Sequence, residues 1–296
     1  MPADTTASSY YLGLRVAVGV LVGFAAARRG LKKKSLDHSG AIAAFLVGAI
    51  SMACGYRFGI LLLGFYFSGS KLTTFQEARK ATLDAAVKEG GQRSARQVLA
   101  CSLLACVVCV VYAIGYIDDA PLDASTRPTA TFLWGCYIGH YACCAADTWA
   151  SELGVLAPAA PVLITNWCKR VPPGTNGGVS FVGTVASAAG GAFIGLLFYV
   201  YGAIFLESSS VPQWPAIPFG LFMGVLGSLL DSVLGATVQV TWYDESAQKI
   251  VSAPATHEPF AYRHVCGYDI LSNEQVNLVS VALTTLGSGY VAQYFF

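Results

Sequence analysis

Apolar runs long enough to cross a bilayer recur along this chain, and they leave little room for any other architecture. Nearly uncharged stretches cover residues 10–27, 40–56, 58–67, 97–117, 131–146, 179–206, 214–240 and 275–296. A helix needs about 20 apolar residues to span a hydrocarbon core of about 30 Å. Most of the runs approach or exceed that length. The 58–67 run is short, which predicts a tilted or partly re-entrant segment. With 55% hydrophobic and 12% charged residues, the chain has no soluble domain of useful size left once the runs are removed. The expectation is all-α: a polytopic integral-membrane helical bundle of about eight spans, one transmembrane domain over residues 1–296.

Charge orders the loops between the runs. Arg28–Lys34, Lys71–Arg96, Lys169-Arg170 and Lys249–Arg263 fall on alternate loops, whereas Asp118–Asp123 and Glu207 fall on the others. The positive-inside rule then places both termini outside the cytosol and the basic loops within it. Residues 10–27 have no basic segment before them and a strongly basic one after, which reads as a retained span rather than a signal peptide. Residues 74–96 are charged and helix-prone, and predict a cytosolic connector helix. A net charge of +1 argues against nucleic acid as a partner. Cys101, Cys106 and Cys109 sit inside an apolar run and read as small packing residues rather than metal ligands. His140 reads as a packed polar residue.

The expensive residues are the informative ones. Asp147 and Glu152 stand at the end of one apolar run, and Asp231 stands inside another. An Asp at the centre of a bilayer helix costs about 2.5–3.5 kcal/mol, so such acids need a cation, a metal or a polar pocket. At helical spacing Asp147, Ser151 and Gly154 share a face, which Gly135, Gly139 and Cys143 continue. Gly224, Gly227 and Gly235 share the Asp231 face, and Gly183, Ser187, Gly191 and Gly195 form a third small-residue stripe. Such stripes predict close helix packing. Pro172-Pro173-Gly174-Thr175-Asn176-Gly177-Gly178 is a Gly-rich turn that opens a helix, which suits an anion. Lys71, Arg93 and Lys169 are candidate cations. Carboxylates for Mg²⁺, Gly-rich backbone for phosphate oxygens and basic side chains recur together in phosphoryl-transfer sites. No Walker A sequence is present.

These stretches resemble the transmembrane protein 19 family, also called the DUF92 membrane proteins. The matching pieces are Arg29-Gly-Leu-Lys-Lys-Lys-Ser-Leu-Asp-His-Ser-Gly-Ala41, Ser70-Lys71-Leu-Thr73, Glu89-Gly-Gly-Gln-Arg93, Ala146-Asp-Thr-Trp-Ala-Ser-Glu-Leu-Gly154, Val171-Pro-Pro-Gly-Thr-Asn-Gly-Gly-Val179, Gly227-Ser-Leu-Leu-Asp-Ser-Val-Leu-Gly-Ala236 and Val276-Asn-Leu278. The plant branch of that family includes phytyl-phosphate kinase, so the resemblance implies phosphoryl transfer from CTP to an isoprenoid monophosphate. Asp147-Thr-x-Ala-Ser-x-x-Gly154 is also similar to a motif of CTP-dependent dolichol kinases, although Pro173 stands where those enzymes carry an acidic residue.

Together these readings predict a membrane-embedded prenyl-phosphate kinase of the endoplasmic reticulum or another organelle, its site facing the cytosol. Asp147, Glu152 and Asp231 would hold Mg²⁺, and Lys71 and Arg93 would neutralise phosphate. Ser151, Lys169 and Gly174–Gly178 would contact CTP. The prenyl tail would lie in the grooves of the small-residue stripes. The alternative is a non-catalytic transporter or scaffold whose buried acids bind an ion. An enzyme requires Lys71, Asp147, Gly174 and Asp231 in one pocket.

Overall fold

The computed structural model describes residues 5–85, 89–116, 119–206, 210–253 and 261–296. Its axis is helix α7, Pro128–Gly154, where every residue from Trp134 to Ala146 is buried. A helix buried on all sides must satisfy its polar groups from its neighbours. His140 does so between the Thr285 hydroxyl, 3.0 Å from Nδ1, and the Cys101 carbonyl, 2.9 Å from Nε2. Trp134 stacks on Phe58 with ring centroids 4.0 Å apart.

Around this axis stand α1 (Thr5–Lys32), α2 (His38–Cys54), α3 (Tyr56–Thr74), α5 (Ala95–Ala100), α6 (Leu103–Gly115), α8 (Phe181–Phe205), α9 (Ala216–Val238) and α10 (Asn273–Phe295), with a one-turn α4 at Glu77–Lys80. Caps fix several starts: Asp37 Oδ1 accepts from Gly40 N–H on α2, and Ser180 Oγ accepts from Gly183 N–H on α8. Ser272 and Gln275 form a capping box on α10. A long helix thus occupies each apolar run, except that 97–117 breaks into α5 and α6 at Cys101-Ser102. The short 58–67 run is the middle of α3, which gains a polar last turn through Ser68–Thr74. Helices α8 and α9 are long and apolar enough to cross a membrane.

The small-residue stripes pack as expected. A Cβ on Gly191 would strike the carbonyl of Gly220, and one on Gly195 the carbonyl of Ala216, both on α9. Gly183 and Gly190 approach α7 in the same way, while Gly135 and Gly139 approach Ser288 of α10. Backbones this close leave no groove for the expected tail at Gly190, Gly191 and Gly195, whereas Gly154, Gly183, Ser187 and Gly235 of the same stripes line a cavity.

Two further expectations need correction. The connector expected over 74–96 is not one helix. It comprises α4, an isolated bridge from Asp84 to Ile250 and a 3₁₀ turn at Glu89–Gly91. The fold is also not purely α. One antiparallel sheet joins β1 (Val162–Leu163), β2 (Asn166–Arg170) and β3 (Gly178–Val179) in the order β2-β1-β3. A second joins β4 (Thr241–Asp244), β5 (Lys249–Val251) and β6 (Tyr262–Cys266) in the order β5-β4-β6. Leu163, Val171, Ala236, Val265 and Cys266 form a small core that seats this cap on the end of α9.

Candidate functional site

The C-terminal ends of α3, α7 and α9 and the N-terminal ends of α5, α8 and α10 meet under the cap. There a single cavity of about 410 Å³ is lined by Arg93, Asp147, Ser151, Glu152, Gly174, Thr175, Asn176, Gly177, Gly178 and Asp231. Most of the residues singled out in the sequence are therefore brought together from distant segments. Lys71 and Lys169 are not, so of the four residues expected to share one pocket in an enzyme only Asp147, Gly174 and Asp231 do. Lys71 is exposed on the last turn of α3, and Lys169 reaches away to donate to the Val265 carbonyl at 2.6 Å. Lys169 staples one small sheet to the other.

Asp147 on α7 and Asp231 on α9 line the same cavity. Each is held by a serine from a neighbouring helix. Ser228 Oγ donates to Asp147 Oδ1 at 3.2 Å, and Ser280 Oγ donates to Asp231 Oδ2 at 2.8 Å. Ser228 lies three positions before Asp231, so the same face of α9 presents both a carboxylate and the hydroxyl that orients its counterpart. Two carboxylates that converge in one cavity repel, and a cation held between them removes that repulsion. The donor set is hard oxygen, which suits Mg²⁺ held by few protein ligands together with phosphates and water.

Glu152 does not complete a three-carboxylate set. Its Oε1 accepts from Thr73 Oγ1 at 2.6 Å, and its Oε2 accepts from Lys80 Nζ at 2.6 Å. Lys80 is buried and also donates to the carbonyls of Leu72 and Thr73. Among the described residues no three His, Cys, Asp or Glu side chains converge as a metal cluster. Glu152 therefore organises the end of α3 rather than serving as a free ligand. Lys80 was not singled out in the sequence. Nothing separates it there from Arg79 beside it.

Arg93 is set in place by backbone. Its N–H donates to the Ser35 carbonyl at 3.1 Å, and its carbonyl accepts from Asp37 N–H at 3.0 Å. Gly90 and Gly91 precede it with φ of 67° and 63°, a left-handed pair that turns the chain back under Lys34 and Thr73. The guanidinium then faces the cavity, with Nη2 3.3 Å from Thr73 Oγ1.

The Gly-rich turn lines the cavity but is a poorer anion cradle than its sequence implies. Thr175 N–H donates to the Pro172 carbonyl, Asn176 N–H to Thr241 Oγ1 and Gly178 N–H to the Thr175 carbonyl. Asn176 Nδ2 also donates to Thr241 Oγ1 at 2.8 Å. The turn leads into β3 rather than directly into α8, whose first turn is capped by Ser180.

Residues 21–285 match the family described as integral membrane protein DUF92. Over 287 residues the chain is 42% identical to Protein PGR of Arabidopsis thaliana, covering 95% of this chain and 98% of that one. It is 30% identical over 211 residues to an uncharacterized membrane protein of Synechocystis, covering 71% and 74% of the two chains. It is 25% identical over 260 residues to the chloroplastic Protein VTE6 of Arabidopsis thaliana, covering 88% and 66%. No solved structure matches the chain.

Proposed function

The chain belongs to the DUF92 family of integral membrane proteins, and from that premise we propose that it is a membrane-embedded phosphoryltransferase, a CTP-dependent kinase that converts an isoprenoid monophosphate into the diphosphate. The observation that carries this reading is the cavity itself. Its polar end gathers Arg93, Asp147 and Asp231, and the same cavity continues between α1, α2 and α3 along apolar residues such as Val47, Leu62 and Leu63. An acceptor with a phosphate head and a hydrocarbon tail matches both ends. The resemblance to the plant phytyl-phosphate kinase branch and to the dolichol-kinase motif supports the isoprenoid and the CTP.

In this reaction an acceptor phosphate oxygen attacks the γ-phosphorus of CTP. The bond from that phosphorus to the β–γ bridging oxygen breaks, and CDP leaves. The acceptor oxygen is already anionic, so no general base is required. Asp147 and Asp231 would hold Mg²⁺, the Ser228 and Ser280 hydroxyls fixing the orientation of both carboxylates. The cation would neutralise charge on the nucleotide phosphates. Arg93 offers a planar fork to the acceptor phosphate. Thr73 and Glu152, locked by Lys80, hold the last turn of α3 against α7, and so hold the wall on which the acceptor head rests. Gly174 and Gly177 shape the turn at φ of 87° and 73°, and Gly177 lets it pass close to α9 at Ser232 and Ala236, along the cavity wall where the nucleotide would lie.

Eight spans follow if α5 and α6 cross together and α1–α3 and α7–α10 each cross once. The basic loops all lie at the site end, which under the positive-inside rule supports a cytosol-facing site, and we propose an endoplasmic reticulum or other organelle membrane for it. The test is direct. Purified protein in lipid, given CTP or ATP and a panel of prenyl monophosphates, is expected to yield prenyl diphosphate and CDP. Absence of transfer from every nucleotide to every acceptor overturns the proposal.

A further inference from the structure

Three helix faces enclose the apolar end of the cavity. Helix α1 presents Val22 and Ala26, one turn apart. Helix α2 presents Ala44, Gly48 and Met52, each four positions on from the last. Helix α3 presents Gly59, Leu62, Tyr66 and Gly69 at helical spacing. No charged side chain lines this arm below the level of Arg93 and Asp147. Along α3 it extends from Gly69, beside Thr148, to Gly59, a rise of about 15 Å over ten residues. Met52 and Gly59 stand at its far end. Met52 is buried, and its thioether lies where a Cβ on Gly59 would stand.

From this geometry we propose that the arm between α1, α2 and α3 holds a single hydrocarbon chain with an anionic phosphate head, and that Met52 over Gly59 is the floor that limits the chain's length. The proposal rests on the kinase reading for the identity of the head, which Arg93 meets at the open end. It goes beyond that reading in placing the tail and naming what measures it. Chains that end above Met52 bury their full length. Longer ones must displace the floor or leave the cavity. Ala44 stands half-buried on the wall, one turn from Gly40, which packs on the Arg93 backbone, and two turns from Met52, so a larger side chain there narrows the arm between the head and the floor.

The experiment measures equilibrium binding of a homologous series of linear prenyl monophosphates to full-length protein in lipid nanodiscs, without nucleotide, so that it does not depend on turnover. Affinity is expected to rise with chain length and then plateau or fall. Ala44→Leu is expected to move that break to shorter chains and to weaken the longest chain at least tenfold relative to the shortest. Met52→Ala is expected to move it to longer chains. Variants that weaken all lengths equally, or leave the break where it is, overturn the proposal. Because Ala44→Leu also risks misfolding, Met52→Ala provides the opposite sign on its own. Length-dependent binding without phosphoryl transfer keeps the arm and removes the kinase reading. Transfer with no dependence on chain length does the reverse.

Discussion

Lys80 Nζ meets Glu152 Oε2 at 2.6 Å, with 5% and 19% of the two side chains exposed, and this contact ties the segment after α3 to the last turns of α7. Lys80 gives its other hydrogen bonds to the carbonyls of Leu72 and Thr73 at the end of α3. One ammonium thus caps a helix and neutralises the carboxylate that faces it.

Removing either partner leaves the other buried and uncompensated, which costs about 3–5 kcal/mol for a buried pair. Lys80→Met and Glu152→Gln are each expected to lower the thermal midpoint strongly. The double variant is expected to be more stable than the sum of the two losses implies. A thermal double-mutant cycle in nanodiscs measures this coupling, and strict additivity would show that the contact is incidental.

The close approach of α8 to α9 makes a second prediction. A Cβ at Gly191 meets backbone of α9, whereas a Cβ at Gly287 on α10 meets nothing within 4 Å. Gly191→Ala is expected to destabilise by about 1–3 kcal/mol through overpacking. Gly287→Ala is expected to be neutral or to stabilise by up to about 1 kcal/mol through helix propensity. Thermal unfolding of the two variants side by side checks the ordering.

The far end of the bundle supplies a pH test. Arg57, 1% exposed, donates to the Phe198 carbonyl and lies 3.4 Å from Asp119, which is 22% exposed. Burial pushes the Asp119 carboxyl up from its ordinary range, and Arg57 opposes that shift. The unfolded carboxyl titrates near about 3.9, so the folded state binds its proton more tightly than the unfolded one. The contribution is therefore present below about pH 3.9 and is lost as pH rises through the folded value above it. Asp119→Asn is expected to flatten the fall in thermal midpoint with rising pH over that window. An unchanged profile means the carboxylate is not the group responsible.

How much of this was legible in the sequence depends on what each residue has to resist. Asp147 and Asp231 stood out because an acid in an apolar run must find a partner, and each has one in Ser228 or Ser280. The Gly stripes were legible because period four places small residues on one face. Lys80 was not, since a basic residue in a polar segment carries no mark of burial. Lys169 was misread for the same reason, its ammonium being turned toward Val265. The cap escaped notice because its strands are two to five residues long and carry little periodicity.

The carboxylate pair yields the decisive prediction. Asp147 on α7 and Asp231 on α9 sit in one cavity, each with one oxygen tied to a serine hydroxyl. If the pair holds Mg²⁺ on a nucleotide, Asn at either position keeps the shape and the serine contact but removes the charge. Phosphoryl transfer is then expected to fall by at least about 100-fold, the scale on which lost electrostatic stabilisation is felt. The folded, inserted protein is expected to persist, because Asn relieves the repulsion between the two acids. Mg²⁺ with CTP should raise the thermal midpoint of the wild type and not that of Asp147→Asn or Asp231→Asn. Glu152→Gln should lower stability more than metal-dependent stabilisation, since both Glu152 oxygens are engaged by Thr73 and Lys80. If the acids merely join helices, both Asn variants keep the transfer rate of the wild type. Asn hydrogen-bonds across helices well, so both Asn variants would be as stable as the wild type with no metal-dependent shift in any of the three. Thermal midpoints and transfer rates measured on the same preparations, with and without Mg²⁺ and CTP, separate the two outcomes.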